Sequence, residues 1–301
     1  MKLRLGARGS ALSLAQARLV AASLEGRAEV EIVTIATTGD RLSAAGSPIE
    51  WKGDFTRELD EALLDGRIAL AVHSLKDVPS RVPDGIVLAA VPPREDPSDA
   101  LVSREGRLFA DLPSGARLGT SSPRRRAQLL AARPDLQVLE TRGNVDTRLA
   151  RLAEGRFDAI VLARAGLARL GRLAEISEVL PASLLLPAVG QGALAIFARR
   201  DDAVVLSLLD PLDDAASRRE VEAERSLLAT LEAGCRAPVA GLARVRGERI
   251  AISAAVFSPT GATALREESA GLARDAVELG RAAGQRLLER GAAALMAEGE
   301  A

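Results

Sequence analysis

An alternation that runs through the first two-thirds of the chain and then stops limits its possible folds more than anything else. Short apolar runs suited to strands alternate with amphipathic stretches suited to helices, the pattern of a sheet covered by helices on both faces. KLRLGA is the first expected strand, Ser10 to Leu24 the first helix and AEVEIVTIAT the next strand. A polar, glycine-containing loop is expected from about Thr38 to Gly53, then a helix from about Asp54 to Asp65 and the strands IALAVHS and IVLAAVP. PPREDPSD carries the chain into a second alternating unit: DALVS, ARLGTSS, a helix from Pro123, QVLET, a helix from about Val145, and FDAIVLA. LLLPAVGQGALAIFARR has Pro and two Gly inside an apolar run and crosses back. Two domains joined by two crossovers imply a cleft and a hinge. From about Leu212 the pattern becomes one helix, a turn at Cys235, two or three antiparallel strands through Phe257, and a helix from about Arg274 to Arg290. The expected division is residues 1–92 with 193–211, residues 93–192, and residues 212–301: two α/β domains and a small α+β domain.

Charge and composition exclude whole classes of function. A net charge of −1 gives no chain-wide field for nucleic acid, and 2% aromatic residues with no Tyr leave no platforms for base stacking. No apolar run reaches the roughly 18 residues that would cross a bilayer. MKLRLGARGS lacks the apolar core of a signal peptide, so a cytoplasmic protein with no membrane partner is expected. Of 40 basic residues only Lys2, Lys52 and Lys76 are lysine, which singles out Lys52 and Lys76 as places where a compact ammonium is needed.

The one cysteine, Cys235, stands in EAGCRAP, between a helical pattern and a β pattern, where a turn would expose it. With no second cysteine there is no intramolecular disulfide, and with His73 the only histidine there is no ordinary Cys/His zinc site. A nucleophile, an attachment point and an inert small hydrophobe remain. Arg236 beside it favours the thiolate.

Arginines gather at expected helix starts. In GTSSPRRRAQLL, Ser122 is a good N-cap and Pro123 suits the first helical position, yet Arg124, Arg125 and Arg126 fill the first turn. Cations there oppose the helix macrodipole by about 0.3–1 kcal/mol each. Free backbone N–H groups, the hydroxyls of Thr120, Ser121 and Ser122, and guanidinium forks make a carboxylate or phosphate site that would offset that cost; a solvated basic helix end is the plainer alternative. ETRGNVDTRLARL repeats the design with Arg142, Asn144 as cap and Arg148, and Arg8 precedes a helix that Ser10 can cap. Three such sites at strand ends in two domains imply a ligand with several negative groups.

HSLKDVP then places Lys76 and Asp77 just after a buried strand, where a carboxylate can give or take a proton and stabilise a forming cation; a surface Lys-Asp turn is the alternative. His73 suits a packed strand position as well as a catalyst, and a Ser74/His73/Asp77 triad would need three neighbours on one short segment to converge. VGQGALA lacks the strand, helix and later acid of a dinucleotide loop.

Taken together, LGARGSALSLAQA, AVHSLKDVP, PREDPSDALVS, GTSSPRRRAQL, RPDLQVLETRGNVDTRL, FDAIVLARAGLARLG, LPAVGQGALAI and EAGCRAPV resemble the porphobilinogen deaminase (hydroxymethylbilane synthase) family over essentially the whole chain. The resemblance implies an α/β fold of two type II periplasmic-binding-protein-like domains around a cleft, plus a C-terminal α+β domain bearing the cysteine. It implies a dipyrromethane cofactor held by Cys235 as a thioether, to which four porphobilinogen molecules are added head to tail with loss of ammonia before water releases linear hydroxymethylbilane. Asp77 would be the catalytic carboxylate. Lys76, Thr120, Ser121, Ser122, Arg124, Arg125 and Arg148 would hold the cofactor; Arg8, Ser10, Arg142, Arg169 and Lys52 would meet the substrate, and Arg94 falls in the crossover. No metal is implied, and a monomer is the default expectation. Three positions depart from the family pattern: WKGDFTRE has Asp54 for a leucine and Arg57 for a lysine, and Pro123 replaces a commoner leucine. A non-catalytic anion receptor on the same fold is the rival class, though it needs neither Cys235 nor Asp77. A cysteine hydrolase using Cys235 and His73 lacks an orienting motif.

Overall fold

Two five-stranded sheets built from different parts of the chain share one strand order. The computed structural model describes residues 1–44, 55–233 and 237–298, with residues 42–44 described by backbone alone. From the N-terminus come β1 (Lys2–Ala7), α1 (Ala11–Ser23), β2 (Glu29–Thr34), α2 (Thr38–Ala44), α3 (Arg57–Leu64), β3 (Leu70–Ser74) and β4 (Ile86–Ala90). The middle supplies β5 (Asp99–Ser103), β6 (Arg117–Gly119), α4 (Pro123–Ala132), β7 (Gln137–Leu139), α5 (Val145–Ala153), β8 (Ala159–Ala163), α6 (Arg164–Arg169) and β9 (Glu178–Leu180). Then follow β10 (Leu194–Arg199), α7 (Ala203–Leu209), α8 (Ala215–Thr230), β11 (Val239–Arg246), β12 (Arg249–Phe257), β13 (Ala264–Leu272), α9 (Ala276–Glu289) and α10 (Ala292–Ala297). The chain divides into two units, Met1–Glu95 with Ala193–Arg218, and Asp96–Gly192 with Arg219–Ala301.

The sheet of the first unit runs β2-β1-β3-β10-β4. β1, β2 and β3 are mutually parallel, and β10 lies antiparallel between β3 and β4. LAVHS forms the middle of this sheet because four of its five residues are buried, as a strand covered on both faces requires. α1 closes one face through Ala17, Val20 and Leu24 against Leu3, Leu5, Leu70 and Ile196. Each fully buried Leu contributes about 1.5–3 kcal/mol to that face.

The second unit repeats the order as β7-β6-β8-β5-β9, with β6, β7 and β8 parallel and β5 antiparallel between β8 and β9. It also contains the antiparallel sheet β11-β12-β13, whose core takes in Leu227, Ile252, Val256 and Leu287. α4 joins the two layers: Ala127 packs with Leu186, Ala240, Ala255 and Phe257. The approach is so close that a Cβ on Gly261, at φ +76°, would lie 2.0 Å from the Ala127 carbonyl oxygen. Glu224 is fully buried on α8 and accepts from the amides of Gly190 (2.6 Å) and Ala243 (2.8 Å), pinning the crossover segment to β11.

The α/β halves and the α+β C-terminal part expected from the sequence are all present. α6, β9 and α7 have no counterpart in the expected elements, and three further differences have a visible cause. Thr38–Ala44, expected as loop, is helical because a distant acid caps it: Glu58 Oε1 accepts from the Thr38 amide at 2.8 Å and hydroxyl at 2.6 Å. The antiparallel sheet continues past Phe257 into β13, whose polar sequence ALREESAGL alternates exposed and half-buried positions as a one-sided strand does. The alanine-rich C-terminus forms α10, with Leu295 and Met296 packed on the third sheet's core.

Candidate active site

In the first unit the chemistry-bearing residues follow the carboxyl ends of adjacent strands. Arg8 leaves β1, and Ser10 caps α1 by accepting from the Ser13 amide at 3.2 Å. Asp77 ends a short 3₁₀ turn, Leu75–Asp77, that leaves β3; buried Leu75 and Val78 anchor the turn, and the Leu75 amide donates to the Ala193 carbonyl at 3.0 Å. Lys76 and Asp77 are half-buried. Gln16 on α1 donates to the Ser74 hydroxyl at 2.7 Å, fixing the strand end that delivers them.

Arg8 already grips a carboxylate. Its Nη2 donates to Asp40 Oδ1 at 2.5 Å, its Nε reaches both Asp40 oxygens at 3.1 and 3.2 Å, and its guanidinium lies 4.0 Å over the Phe55 ring. That ring fits only because residue 39 is glycine: a Cβ there would sit 2.4 Å from it. Burial raises the Asp40 pKa, but Arg8 and Thr37 more than offset it and keep it below the ordinary carboxylate value. His73 is buried with its ring edge-on to Phe197 at 5.8 Å, and its Nε2 has no hydrogen-bond partner among the described residues. Burial, helped by the Arg8 charge, lowers its pKa to about 4, so it is neutral at pH 7.

The second unit gathers its residues at the same end of its own sheet. Thr120, Ser121 and Ser122 follow β6; Arg142, Asn144 and Arg148 follow β7; Arg169 ends α6, which follows β8. Ser122 and Asn144 cap α4 and α5 by accepting from Arg125 N (3.4 Å) and Thr147 N (2.9 Å), and Pro123 holds the first helical position. The Thr120 hydroxyl accepts from the Ser122 amide at 3.2 Å, and the Ser121 hydroxyl donates to the Thr141 carbonyl. Arg148 Nε donates to the Gly143 carbonyl at 2.8 Å, Arg169 to the Gly192 carbonyl at 2.6 Å, and Arg142 pairs with Glu140 at 2.7 Å. In the crossover segment of the first unit, the Arg94 amide donates to the Ser217 hydroxyl at 2.9 Å.

Arg124 and Arg125 turn inward to a partner that motif reading passed over. Asp99, fully buried at the start of β5, accepts from Arg124 Nη1 at 2.8 Å and from Arg125 Nη2 and Nε at 2.7 and 3.0 Å. Gln191 donates to the same carboxylate at 2.9 Å and to the Pro97 carbonyl at 2.6 Å. Burial alone would raise the Asp99 pKa, but Arg124 and then Arg125 overcome it and bring it to about 2. Two cations on one anion leave one net positive charge. Arg124 Nε and the hydroxyl of buried Thr141 have no partner among the described residues. A buried excess of cation with unspent donors fits an acidic ligand group.

Asp40, Asp99 and Gln191, which hold Arg8, Arg124 and Arg125 in place, were not among the expected site residues, although Asp99 and Gln191 lie inside motifs singled out above. Cys235, Arg236, Lys52 and Asp54 lie outside the described residues. Arg57 starts α3 and contacts the Thr38 hydroxyl at 3.3 Å. Among the described residues no cluster of His, Cys, Asp and Glu could hold a metal ion.

Comparison with known proteins follows the same lines. Residues 3–207 match the family model described as "Porphobilinogen deaminase, dipyromethane cofactor binding domain", and residues 218–289 the model "Porphobilinogen deaminase, C-terminal domain". A porphobilinogen deaminase of Rubrobacter xylanophilus is 52% identical over 98% of this chain and 96% of its own. One of Desulforudis audaxviator is 50% identical over 97% of this chain and 96% of its own. Among solved structures, an arginine-specific periplasmic binding protein of Salmonella typhimurium is 15% identical, covering 70% of this chain and 91% of its own at a TM-score of 0.40.

Proposed function

The chain belongs to the porphobilinogen deaminase family, that of hydroxymethylbilane synthase in tetrapyrrole biosynthesis, and on that premise we propose how its residues divide the work. The reaction is that of a transferase: four porphobilinogen molecules are joined head to tail, one ammonia leaves at each addition, and water releases hydroxymethylbilane. The dipyrromethane cofactor, bound through Cys235 as a thioether, supplies the pyrrole end to which units are added. Arg124, Arg125, Arg148, Lys76 and the hydroxyls of Thr120, Ser121 and Ser122 hold its acidic side chains. Arg8, Ser10, Arg142, Arg169 and Lys52 receive those of the incoming substrate. The Asp77 carboxyl gives a proton to the departing amino group and takes back the one displaced where the new carbon–carbon bond forms, so it ends each addition as it began.

One observation carries this reading. The second unit puts its arginines at one end of one sheet with a net positive charge buried there, and in the same unit the chain on both sides of Cys235 is anchored, Ala233 and Ala237 in the third sheet's core and Ala240 beside Ala127 of α4. The three-domain division given above, a monomeric state, a cytoplasmic location and the lack of nucleic-acid or membrane partners belong to the same proposal. Among the described residues no helix is long and apolar enough to cross a membrane.

Intact-protein mass spectrometry tests it. Active protein should exceed the sequence mass by two deaminated pyrrole units, and Cys235→Ser should lack the increment. Active protein of unmodified mass would refute attachment.

A further inference from the structure

The division of labour above leaves one fully buried acid without a task. We propose that Asp99 is a positioning residue: its carboxylate aligns Arg124 and Arg125 and cuts their double charge to a single one, so that the pair presents a fixed monocation to one acidic side chain of the cofactor. The inference rests on the cofactor role proposed for those arginines.

Four N–H groups converge on this carboxylate, from Arg124 Nη1, Arg125 Nη2 and Nε, and Gln191 Nε2, at 2.7–3.0 Å. Arg124 Nη1 donates to the Leu186 carbonyl as well, at 2.7 Å, and the other end of the Arg125 fork, Nη1, donates to the Val161 carbonyl at 2.9 Å. Neither guanidinium can swing without breaking bonds in a dry environment, where each is costly to lose. Arg124 Nε is left without a partner among the described residues. A triad serving only to join β5 to α4 would leave that buried donor unsatisfied, whereas the carboxylate of a bound ligand would satisfy it. Gln191 grips Asp99 from the crossover segment while holding the Pro97 carbonyl at 2.6 Å, so the acid is fixed from three directions.

The test uses full-length chain produced in cells unable to make porphobilinogen, then incubated with porphobilinogen while the two-pyrrole mass increment is followed. The folded fraction is measured separately by circular dichroism and thermal unfolding. Asp99→Asn keeps the shape and one acceptor oxygen but turns an NH₂ group on the guanidiniums; it should gain the increment at least tenfold more slowly per folded chain. A purely structural Asp99 would lower the melting temperature and leave that rate at the wild-type value, and this result overturns the proposal. Should Asp99→Asn fail to fold, Gln191→Leu removes one of the four N–H groups and no charge. A several-fold slower gain is then expected, and a wild-type rate overturns the proposal equally. If wild-type protein itself gains no increment, it is the family-based role of Cys235 that fails, visible without any variant.

Discussion

The two five-stranded sheets match in order yet hold their charges differently. In the first unit Arg8 pairs with Asp40 where water still reaches both, their side chains 20% and 27% exposed; in the second, Arg124 and Arg125 share Asp99 at 4%, 6% and 0%. A pair in contact with water contributes about 0–1 kcal/mol, because water competes for both partners. Breaking a buried pair from one side leaves a stranded charge and costs about 3–5 kcal/mol. One architecture thus carries a partly hydrated fork and a dry one. The first keeps some contact with water, while the second is closed off from it. The acids differ likewise: Asp77 is half-buried on a short turn, and Asp99 is sealed under two guanidiniums.

Asp77→Asn should give the largest effect, lowering turnover by about 10²–10⁴-fold in a steady-state assay while circular dichroism stays unchanged. A near-normal rate would remove Asp77 from proton transfer and with it the contrast between the two acids. Next, Asp99→Asn, which strands two buried cations, should lower unfolding free energy in urea by about 3–5 kcal/mol, and Asp40→Asn by less, because water reaches both partners of its pair. Comparable losses would mean that the open and sealed pairs do not differ in kind.

The smallest effect lies in the acid limb of stability. The fold lowers the His73 pKa from 6.5 to about 4, so the folded protein binds fewer protons there; that contribution is complete above 6.5 and lost as pH falls through about 4. Half-buried Asp60 works in the opposite sense: burial raises its pKa from 3.8 to about 6, and its contribution is complete below 3.8 and lost as pH rises through about 6. Asp99 contributes fully above 3.8 and is lost only as pH falls through about 2. Thermal midpoints of His73→Leu should therefore fall less than those of wild type between pH 6.5 and 4, and no less below that. A limb unchanged by the substitution would show that His73 is not the group titrating in the first unit.

Local chemistry was legible and distant pairing was not. Ser10, Ser122 and Asn144 cap the helices expected of them, since a cap acts within three residues of its own position. Asp99 lies 25 residues from Arg124, and Asp40 lies 32 from Arg8; no periodicity encodes either meeting. Three arginines at a helix start pointed to an anion, and the second unit supplies one of its own before any ligand arrives. The helix Thr38–Ala44 escaped notice because its capping acid, Glu58, is twenty residues away. The packing of α4 on the third sheet was invisible because alanine meets glycine there, and neither carries a signal in a hydropathy pattern.

The position of β10 has a consequence for synthesis. It is an inner strand of the first sheet, between β3 and β4, yet it leaves the ribosome only after β9 has completed the strand set of the second. The five-stranded sheet begun first is therefore completed after the one begun second. Until Leu194–Arg199 emerges, β3 and β4 have open edges facing no partner, the kind of edge that recruits foreign strands. A product stalled after β9 and before β10 would hold one finished five-stranded sheet and one split down its middle, and a holdase in the cell would find its footing on the latter.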